Sequence, residues 1–362
     1  MALSRLKKPL ILCGIYLTLF LILFYSRELS QGIREGIALS LNLVIPSMFL
    51  FLIASNLIIG HRDLFARPFR GLARLLGIPA GEAAVVILSL TGGYPVGAKL
   101  LGDGVREGRL SPQEAERMLP YCVNCGPAFL ISGVGSALFG NPMVGFCLYL
   151  SQIAACLAVG VLSSFRLEGG RLRRHPPAGN RSRAETGFSR GIVAAVSDAV
   201  RSMGMICGFV TAFSALGPVL DLLLEGMGLE TACLIQGLLE VTGGCGRLAD
   251  VQTGNPVLLA AVFTAFGGIC VQLQICAMVK PAGIRMGRLL AFRPVYVLIS
   301  GAITWLLLRL IPGGAAACLA ISREIPSRAV SVSPAASFFL ILLGVMLLFF
   351  NGKSDKMRFR KD

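Results

Sequence analysis

The residues of this chain that could bind a solute lie where glycine and proline interrupt long apolar runs. The first interruption, Thr91-Gly-Gly-Tyr-Pro-Val-Gly-Ala-Lys-Leu100, holds three glycines, a proline and a lysine with apolar neighbours. Pro95 removes an amide hydrogen and the glycines allow a turn, so the backbone can reverse here and present helix ends to a solute. We therefore predict an anion site formed by this backbone and by the charge of Lys99. The alternative is a surface loop from which the lysine snorkels to water.

Two further interruptions add polar groups. Asn124-Cys-Gly-Pro127 breaks a second apolar run, and Ala265-Phe-Gly-Gly-Ile-Cys-Val-Gln272 breaks a third. Broken helices are tolerated at membrane depth where they line a cavity or are buried in protein. The alternative for each amide is a helix-to-helix hydrogen bond. The candidate substrate-binding residues are Gly92, Gly93, Tyr94, Pro95, Gly97, Lys99, Asn124, Gly267, Gly268 and Gln272.

Ionisable residues inside apolar runs are functional candidates, because burying them is costly. Glu240 follows Gln236-Gly-Leu-Leu and precedes a Thr-Gly-Gly break, where its carboxylate could hold a coupling sodium ion or proton or serve the structure. Asp198 and Arg201 are expected to neutralise one another, and Arg247 is expected to pair with Asp250.

The sequence predicts neither an enzyme nor a cofactor. Cys122 and Cys125 form a CxxC pair, but no second pair has suitable spacing, and the two histidines are far off in basic loops. Most other cysteines lie in apolar runs, where a thiol packs as a small hydrophobic group. No nucleophile and base pair or phosphate loop stands out, so Na⁺ or H⁺ coupling is the one ion requirement that stays open.

The composition shows what must position these residues. Of 362 residues, 55% are apolar and 15% charged, whereas soluble domains carry roughly 25% charged residues. We predict an all-α polytopic membrane protein with about 8–10 hydrophobic segments. The apolar segments run over 9–26, 36–60, 83–101, 121–140, 143–165, 191–220, 229–249, 256–279, 291–311 and 335–350.

The net charge of +15 is read as an orientation signal and not as a nucleic-acid surface. Basic residues cluster at the N-terminus, at 62–74, at 166–190, at 280–293 and in the C-terminal tail. Because positive loops stay in the cytoplasm, both termini are predicted to be cytoplasmic. No small-residue cleavage site follows the first apolar run, which is therefore predicted to be an uncleaved helix.

Two halves of the chain look alike but have opposite predicted orientations. Ser30-Gln-Gly-Ile33 opens one half and Ser189-Arg-Gly-Ile192 the other, while Ser89-Leu-Thr-Gly-Gly93 matches Glu240-Val-Thr-Gly-Gly244. This pattern is typical of an inverted-repeat transporter; the alternative is a chance match of short motifs. The predicted parts are an N-terminal helix (1–29), a first repeat (30–165), a basic linker (166–190), a second repeat (191–311), and a C-terminal helix with basic tail (312–362).

The glycine-rich motifs also resemble a known family. Thr91 to Lys99, Ser111-Pro-Gln-Glu-Ala115, Cys122-Val-Asn-Cys-Gly-Pro127 and Gly133-Val-Gly135 resemble the sporulation integral membrane proteins of the YlbJ (SpoVV) type, whose nucleoside-recognition, or Gate, regions are related to concentrative nucleoside transporters. The resemblance runs from about residue 32 to 311. It implies a carrier fold. In the related nucleoside carriers the last broken helix typically reads Phe-Ala-Asn-Phe-Ser-Ser, whereas this chain has Phe263-Thr-Ala-Phe-Gly-Gly268.

The loss of those polar side chains favours a small anion over a neutral nucleoside. The resemblance implies that this anion is dipicolinate, moved by alternating access in the outer forespore membrane, with Lys99 on a carboxylate and Tyr94 on the ring. The expected partners are this substrate and membrane lipid, without nucleic acid, and a homo-oligomer is possible. Two other readings stay open: a nucleoside-type carrier, and a non-transporting scaffold for spore-envelope assembly.

Overall fold

The computed structural model describes residues 2–165, 188–248 and 255–310, and these ranges are helical without a β-strand. The predicted C-terminal helix and nearly all of the basic linker lie outside the described residues, as does Asp250. Up to residue 165 the α-helices are α1 (Ala2–Phe24), α2 (Ser26–Leu39), α3 (Ile45–Gly60), α4 (Arg62–Phe65), α5 (Arg70–Leu76), α6 (Ala83–Gly92), α7 (Tyr94–Arg106), α8 (Pro112–Met118) and α9 (Pro142–Phe165). After it they are α10 (Phe188–Ser214), α11 (Leu216–Leu223), α12 (Leu229–Leu239), α13 (Val241–Arg247), α14 (Pro256–Phe266), α15 (Gly268–Val279) and α16 (Gly287–Leu310).

The helix lengths confirm an all-α polytopic membrane protein. Among the described residues, four stretches are long and apolar enough to cross a membrane: Pro142–Ser164, Gly191–Leu223, Pro256–Ala282 and Gly287–Leu310. Two bent pairs raise the number to six if each forms one span. Other predicted apolar segments are divided into shorter helices, and the divisions fall at the glycine-rich motifs and at Glu240.

Large apolar side chains cover the outside of the long helices. Leu23 of α1, Val193 of α10 and Leu298 of α16 are each at least 66% exposed. A hydrocarbon environment accepts such surfaces, whereas water does not. Near the end of α16 the Arg309 guanidinium lies 3.9 Å from the centre of the Trp305 ring, a pair of residue types that anchors helix ends at the membrane surface.

Small residues let the helices approach closely. Gly32 and Gly36 lie one turn apart on α2, and a Cβ at Gly36 would lie 2.7 Å from the Thr211 Cα of α10. The closing helices α9 and α16 also touch, with 3.1 Å between the Ser151 and Ser300 hydroxyls. Close backbones and interhelical hydroxyl bonds are the usual means of helix association in membranes.

The two halves contain the same order of parts. Each has long entry helices (α2–α3 and α10–α11), then a helical hairpin (α6–α7 and α12–α13), then an interrupted segment, and then a closing helix (α9 and α16). In the first half the interruption at Asn124–Pro127 leads into a π-helical segment, Ala128–Leu138. The inversion of one half relative to the other stays a prediction.

Candidate functional site

The first interruption is the tip of the hairpin α6–α7. Gly93 has φ +86°, a conformation that L side chains rarely adopt, and it ends α6 directly before Tyr94 begins α7. Pro95 occupies the first turn of α7, where its missing amide hydrogen leaves no helical bond unmade. Gly97 packs so closely that a Cβ would lie 1.8 Å from the Cys122 carbonyl oxygen. The alternative of a surface loop does not match this arrangement, because Tyr94 to Leu101 are helical and buried.

The tip of the first hairpin meets the second interruption. A Cβ at Gly126 would lie 3.2 Å from the backbone of Gly93. Asn124, which is fully buried, donates to the Tyr121 carbonyl over 2.9 Å and lies 3.2 Å from the Ser89 hydroxyl, and its Oδ1 is 2.8 Å from the Tyr296 hydroxyl. Its amide is thus committed to contacts between helices, which was the alternative for this residue.

The second hairpin turns at Glu240, two residues before the Thr-Gly-Gly motif expected to break the helix. Glu240 is the N-cap of α13: its carboxylate oxygens accept from the Thr242 and Gly243 amides over 2.9 and 2.6 Å. An acidic cap satisfies free amides and interacts favourably with the helix dipole. Its oxygens therefore already have partners in the described arrangement.

The tip of the second hairpin meets the third interruption. Between α14 and α15, Gly267 and Gly268 have φ values of +83° and +71°. A Cβ at Gly268 would lie 3.0 Å from the Leu239 carbonyl oxygen and 3.3 Å from the Glu240 Cα. Tyr94 crosses from the first hairpin to α14, where its hydroxyl donates to the Thr264 carbonyl. Both hairpin tips and both interruptions therefore meet at one buried place, here called the junction.

Arg293 of α16 is the buried cation at this junction. It is 2% exposed, and it donates to the Phe266 carbonyl over 3.1 Å and to the Val123 carbonyl over 2.9 Å. Its Nη2 is buried without a hydrogen-bond partner, and no carboxylate among the described residues pairs with it. Carbonyl oxygens satisfy part of a guanidinium but do not neutralise it. The interpretation of Arg293 as part of a cytoplasmic charge cluster does not match this position.

Gln272 shares a contact with this arginine. Its Nε2 donates to the same Phe266 carbonyl over 2.9 Å, while its Oε1 is buried without a partner. The amide is 8% exposed and lies on the second turn of α15. Two side chains that share the Phe266 carbonyl thus contribute an unused donor and an unused acceptor to the junction.

Lys99 lies on α7 away from the junction and has partners. Five residues of helix separate it from Tyr94, about 7.5 Å along the axis. Its ammonium group donates to Asp103 over 2.8 Å and to Asn56 over 2.9 Å. The side chain therefore joins α7 to α3, and its charge is balanced by a neighbouring carboxylate.

One cavity lies beside the first half of the α10–α11 stretch, and another lies beside its second half. The first, about 560 Å³, is lined by Lys99, Asp103, Arg106, Asp198 and Arg201 among others. The second, about 330 Å³, is lined by Asp221, Gln236, Glu240 and Arg247, and by residues 213, 214 and 216–218 of α10 and α11. From residue 201 to residue 217 the helical rise is about 24 Å. Cys270, which follows the third interruption, contacts the Phe209 carbonyl of α10. The third interruption therefore packs against α10 between the residues that line the two cavities.

Each cavity contains an ion pair. In the first cavity the Asp103 carboxylate pairs with the Lys99 ammonium group over 2.8 Å and with the Arg106 guanidinium over 2.5 Å. In the second cavity Asp221 pairs with Arg247 and accepts from Gln236.

In the loop after α7, burial opposes the charge of Arg109, but Glu82 and Glu107 raise its pKa above the ordinary value, so this arginine stays charged.

The paired thiols of the CxxC motif form neither a disulfide nor part of a metal-binding group in the part of the chain that the structure describes. Cys122 and Cys125 are buried free cysteines. No group of three or more His, Cys, Asp or Glu side chains in this part could hold a metal ion.

The comparisons with known proteins agree with the resemblance seen in the motifs. The chain is 25% identical over 305 residues to the sporulation integral membrane protein YlbJ of Bacillus subtilis (strain 168), over 74% of this chain and 73% of the relative. This similarity supports a relationship to the YlbJ family. No known family profile matches the chain, and no solved structure matches it.

Proposed function

We propose that this protein is an alternating-access carrier of a small organic anion, with dipicolinate during spore formation as its substrate. The observation that carries the proposal is the junction: two hairpin tips and two interrupted segments meet at a buried place. A separate cavity lies beside each half of α10–α11. Interrupted helices at membrane depth are the usual site of substrate binding in secondary transporters.

The charge at the junction supports an anion as substrate. Arg293 is buried there without a carboxylate partner among the described residues. Tyr94, Gly267, Gly268 and Gln272 lie around it and are the proposed substrate contacts. Gly92, Gly93 and Gly97 shape the first hairpin, and Lys99 belongs to the entrance through the larger cavity.

The relationship to a sporulation membrane protein supports the choice of dipicolinate among small anions. Its two carboxylates suit a cationic junction, and its aromatic ring suits the face of Tyr94. In this account the forespore membrane is the site of action, and a nucleoside is a poor substrate because the junction offers a cation in place of neutral sugar-binding groups.

Uptake of labelled dipicolinate into proteoliposomes tests this function. We expect saturable uptake above that of protein-free liposomes, inhibited by unlabelled dipicolinate and not by uridine. Imposed Na⁺ and H⁺ gradients, applied separately, identify the coupling ion. Uptake equal to that of protein-free liposomes under every gradient contradicts the proposal, and strong inhibition by uridine instead indicates a nucleoside carrier.

A further inference from the structure

Arg293 and Gln272 present two unused polar atoms at the junction. Both side chains donate to the Phe266 carbonyl, over 3.1 and 2.9 Å, which fixes them close to one another. Arg293 Nη2 and Gln272 Oε1 are then left buried without partners. Buried polar atoms are nearly always satisfied in folded proteins, so two orphans in one place indicate a missing partner.

We propose that these two residues recognise a carboxylate that carries a neighbouring hydrogen-bond donor. The proposal rests on the proposed function and assigns the substrate contacts within it. A carboxylate oxygen accepts from Arg293 Nη2, and an adjacent O–H or N–H group donates to Gln272 Oε1. Singly protonated dipicolinate offers both groups in one molecule, whereas its fully ionised form has no donor.

The requirement for an anion comes from the surroundings of Arg293. Its other donors, Nε and Nη1, end on the carbonyls of Phe266 and Val123, which carry no net charge. A bound monoanion would neutralise the guanidinium and form a charge-assisted bond, which is roughly twice as strong as a neutral one.

The requirement for a donor comes from the orientation of the Gln272 amide. Its Nε2 points to the Phe266 carbonyl, and the reverse orientation would place two oxygens against one another. Oε1 can only accept. A ligand without a donor would leave this oxygen unsatisfied, which is the basis of strong discrimination in buried sites.

Tyr94 covers this site from the first hairpin. A Cβ at Gly267 would lie 3.3 Å from the Tyr94 ring and 3.4 Å from Arg293 Nη2. The ring and the free nitrogen therefore border the same small space, and glycine keeps that space from being filled.

Binding of labelled dipicolinate to the purified protein tests the site with Gln272→Glu as the main variant. The new carboxylate supplies an internal counter-ion for Arg293, so we expect affinity to fall by about 10-fold or more. The same ion pair offsets the lost amide bond to the Phe266 carbonyl, so we expect the melting temperature to stay close to that of the unaltered protein. If Gln272 had only a structural role, a loss of affinity would be accompanied by a loss of melting temperature. Arg293→Lys, which keeps the charge but loses the planar fork, is expected to lose affinity to a similar degree.

Arg285→Gln is the matched control, because Arg285 is exposed and its loss changes the net charge equally. We expect its affinity to stay within about 2-fold of the unaltered protein, the ordinary scatter for a surface site. Wild-type affinity in Gln272→Glu overturns the proposal, whatever the behaviour of the arginine variants.

A second measurement needs no variant. The dimethyl ester of dipicolinate keeps the ring but loses the charge and the donor, so we expect it not to compete. Equal competition by the ester, or no binding of dipicolinate or any other carboxylate tested, overturns the site. Transport that proceeds equally in the wild type and in Gln272→Glu removes the site and leaves the carrier function standing; binding without transport does the reverse.

Discussion

Lys99 and Arg293, two of the buried cations among the described residues, differ in how their charges are balanced. Lys99 has Asp103 within 2.8 Å, whereas Arg293 has only carbonyl oxygens and the Tyr296 ring, 5.2 Å from its centre to the guanidinium carbon. A balanced cation holds the structure together, and an unbalanced one attracts an anion. On this difference rests the proposal that Arg293 takes the substrate charge and that Lys99 has a structural role beside the larger cavity.

Substitutions of the Lys99–Asp103 pair test whether this ion pair stabilises the protein. We expect Lys99→Met and Asp103→Leu each to destabilise the protein by about 1–3 kcal/mol. The first leaves Asp103 paired with Arg106 alone, and the second leaves the buried Lys99 ammonium group without a carboxylate. The double variant is expected to be less destabilised than the sum of the two, with a coupling energy of at least about 0.5 kcal/mol. Thermal unfolding in detergent measures all three variants. Strict additivity would contradict the pairing, and a large loss of dipicolinate affinity in a folded Lys99→Met protein would return the substrate role to the lysine.

Glu240 is a second residue whose role the geometry narrows. Both carboxylate oxygens accept from amides of the first turn of α13. Glu240→Gln keeps one acceptor, and Glu240→Leu removes both. We expect the leucine variant to lose about 0.5–2 kcal/mol of stability, as for other lost caps, and the glutamine variant to lose less.

Uptake under imposed gradients distinguishes this cap from a coupling site. We expect any dependence on a Na⁺ or H⁺ gradient to survive in Glu240→Gln, since the carboxylate serves α13. A folded glutamine variant that transports without gradient dependence would show that Glu240 is the coupling carboxylate.

At the scale of elements, glycine determines how the hairpins reach the junction. In the first hairpin Gly97 lies against the Cys122 carbonyl, and in the second a Cβ at Gly244 would lie 2.1 Å from the Gly237 Cα. Each contact lets one helical arm approach another backbone more closely than any side chain permits. The hairpin tips are thereby held at the interruptions.

Gly97→Ala tests this packing, with Gly208→Ala as its control. The first places a methyl group 1.8 Å from a carbonyl oxygen, whereas Gly208 on α10 has nothing within 4 Å. We expect Gly97→Ala to lower stability by about 1–3 kcal/mol and to reduce transport. Gly208→Ala should leave stability equal or slightly higher, since alanine favours helix. Equal melting temperatures for the two variants would show that the hairpin is not packed as described.

For the whole molecule, the sequence predicted the class of fold and the places where helices break, but not which side chains meet there. The glycine and proline motifs are local signals, so Gly93 and Gly267 could be found without a structure. Arg293 could not be separated from its basic neighbours at 280–288, because only tertiary packing directs it to Phe266 and Val123. Its position inside a predicted apolar segment was the available signal.

The break at Glu240 shows a similar limit. The Thr-Gly-Gly motif was expected to interrupt the helix, yet it forms the first turn of α13 because the preceding carboxylate caps it. Asn124 also needed the structure, since Ser89, Tyr121 and Tyr296 reach it from distant parts of the chain. Long-range hydrogen bonds of this kind leave no periodic mark in a sequence.

The net charge of the junction also has a consequence for the transport cycle. An empty carrier must keep the Arg293 guanidinium in a buried place without a counter-ion, whereas a loaded carrier does not. Since uncompensated buried charge is costly, reorientation of the loaded form is expected to be faster than that of the empty form.

Trans-stimulated exchange tests whether the loaded carrier reorients faster than the empty one. Proteoliposomes are preloaded with unlabelled dipicolinate or with buffer, and the initial uptake of labelled dipicolinate is measured. We predict faster uptake into the preloaded vesicles, with the stimulation lost in Gln272→Glu and kept in Arg285→Gln. Equal uptake into preloaded and empty vesicles, or no uptake into either, would contradict a carrier that alternates around a cationic junction.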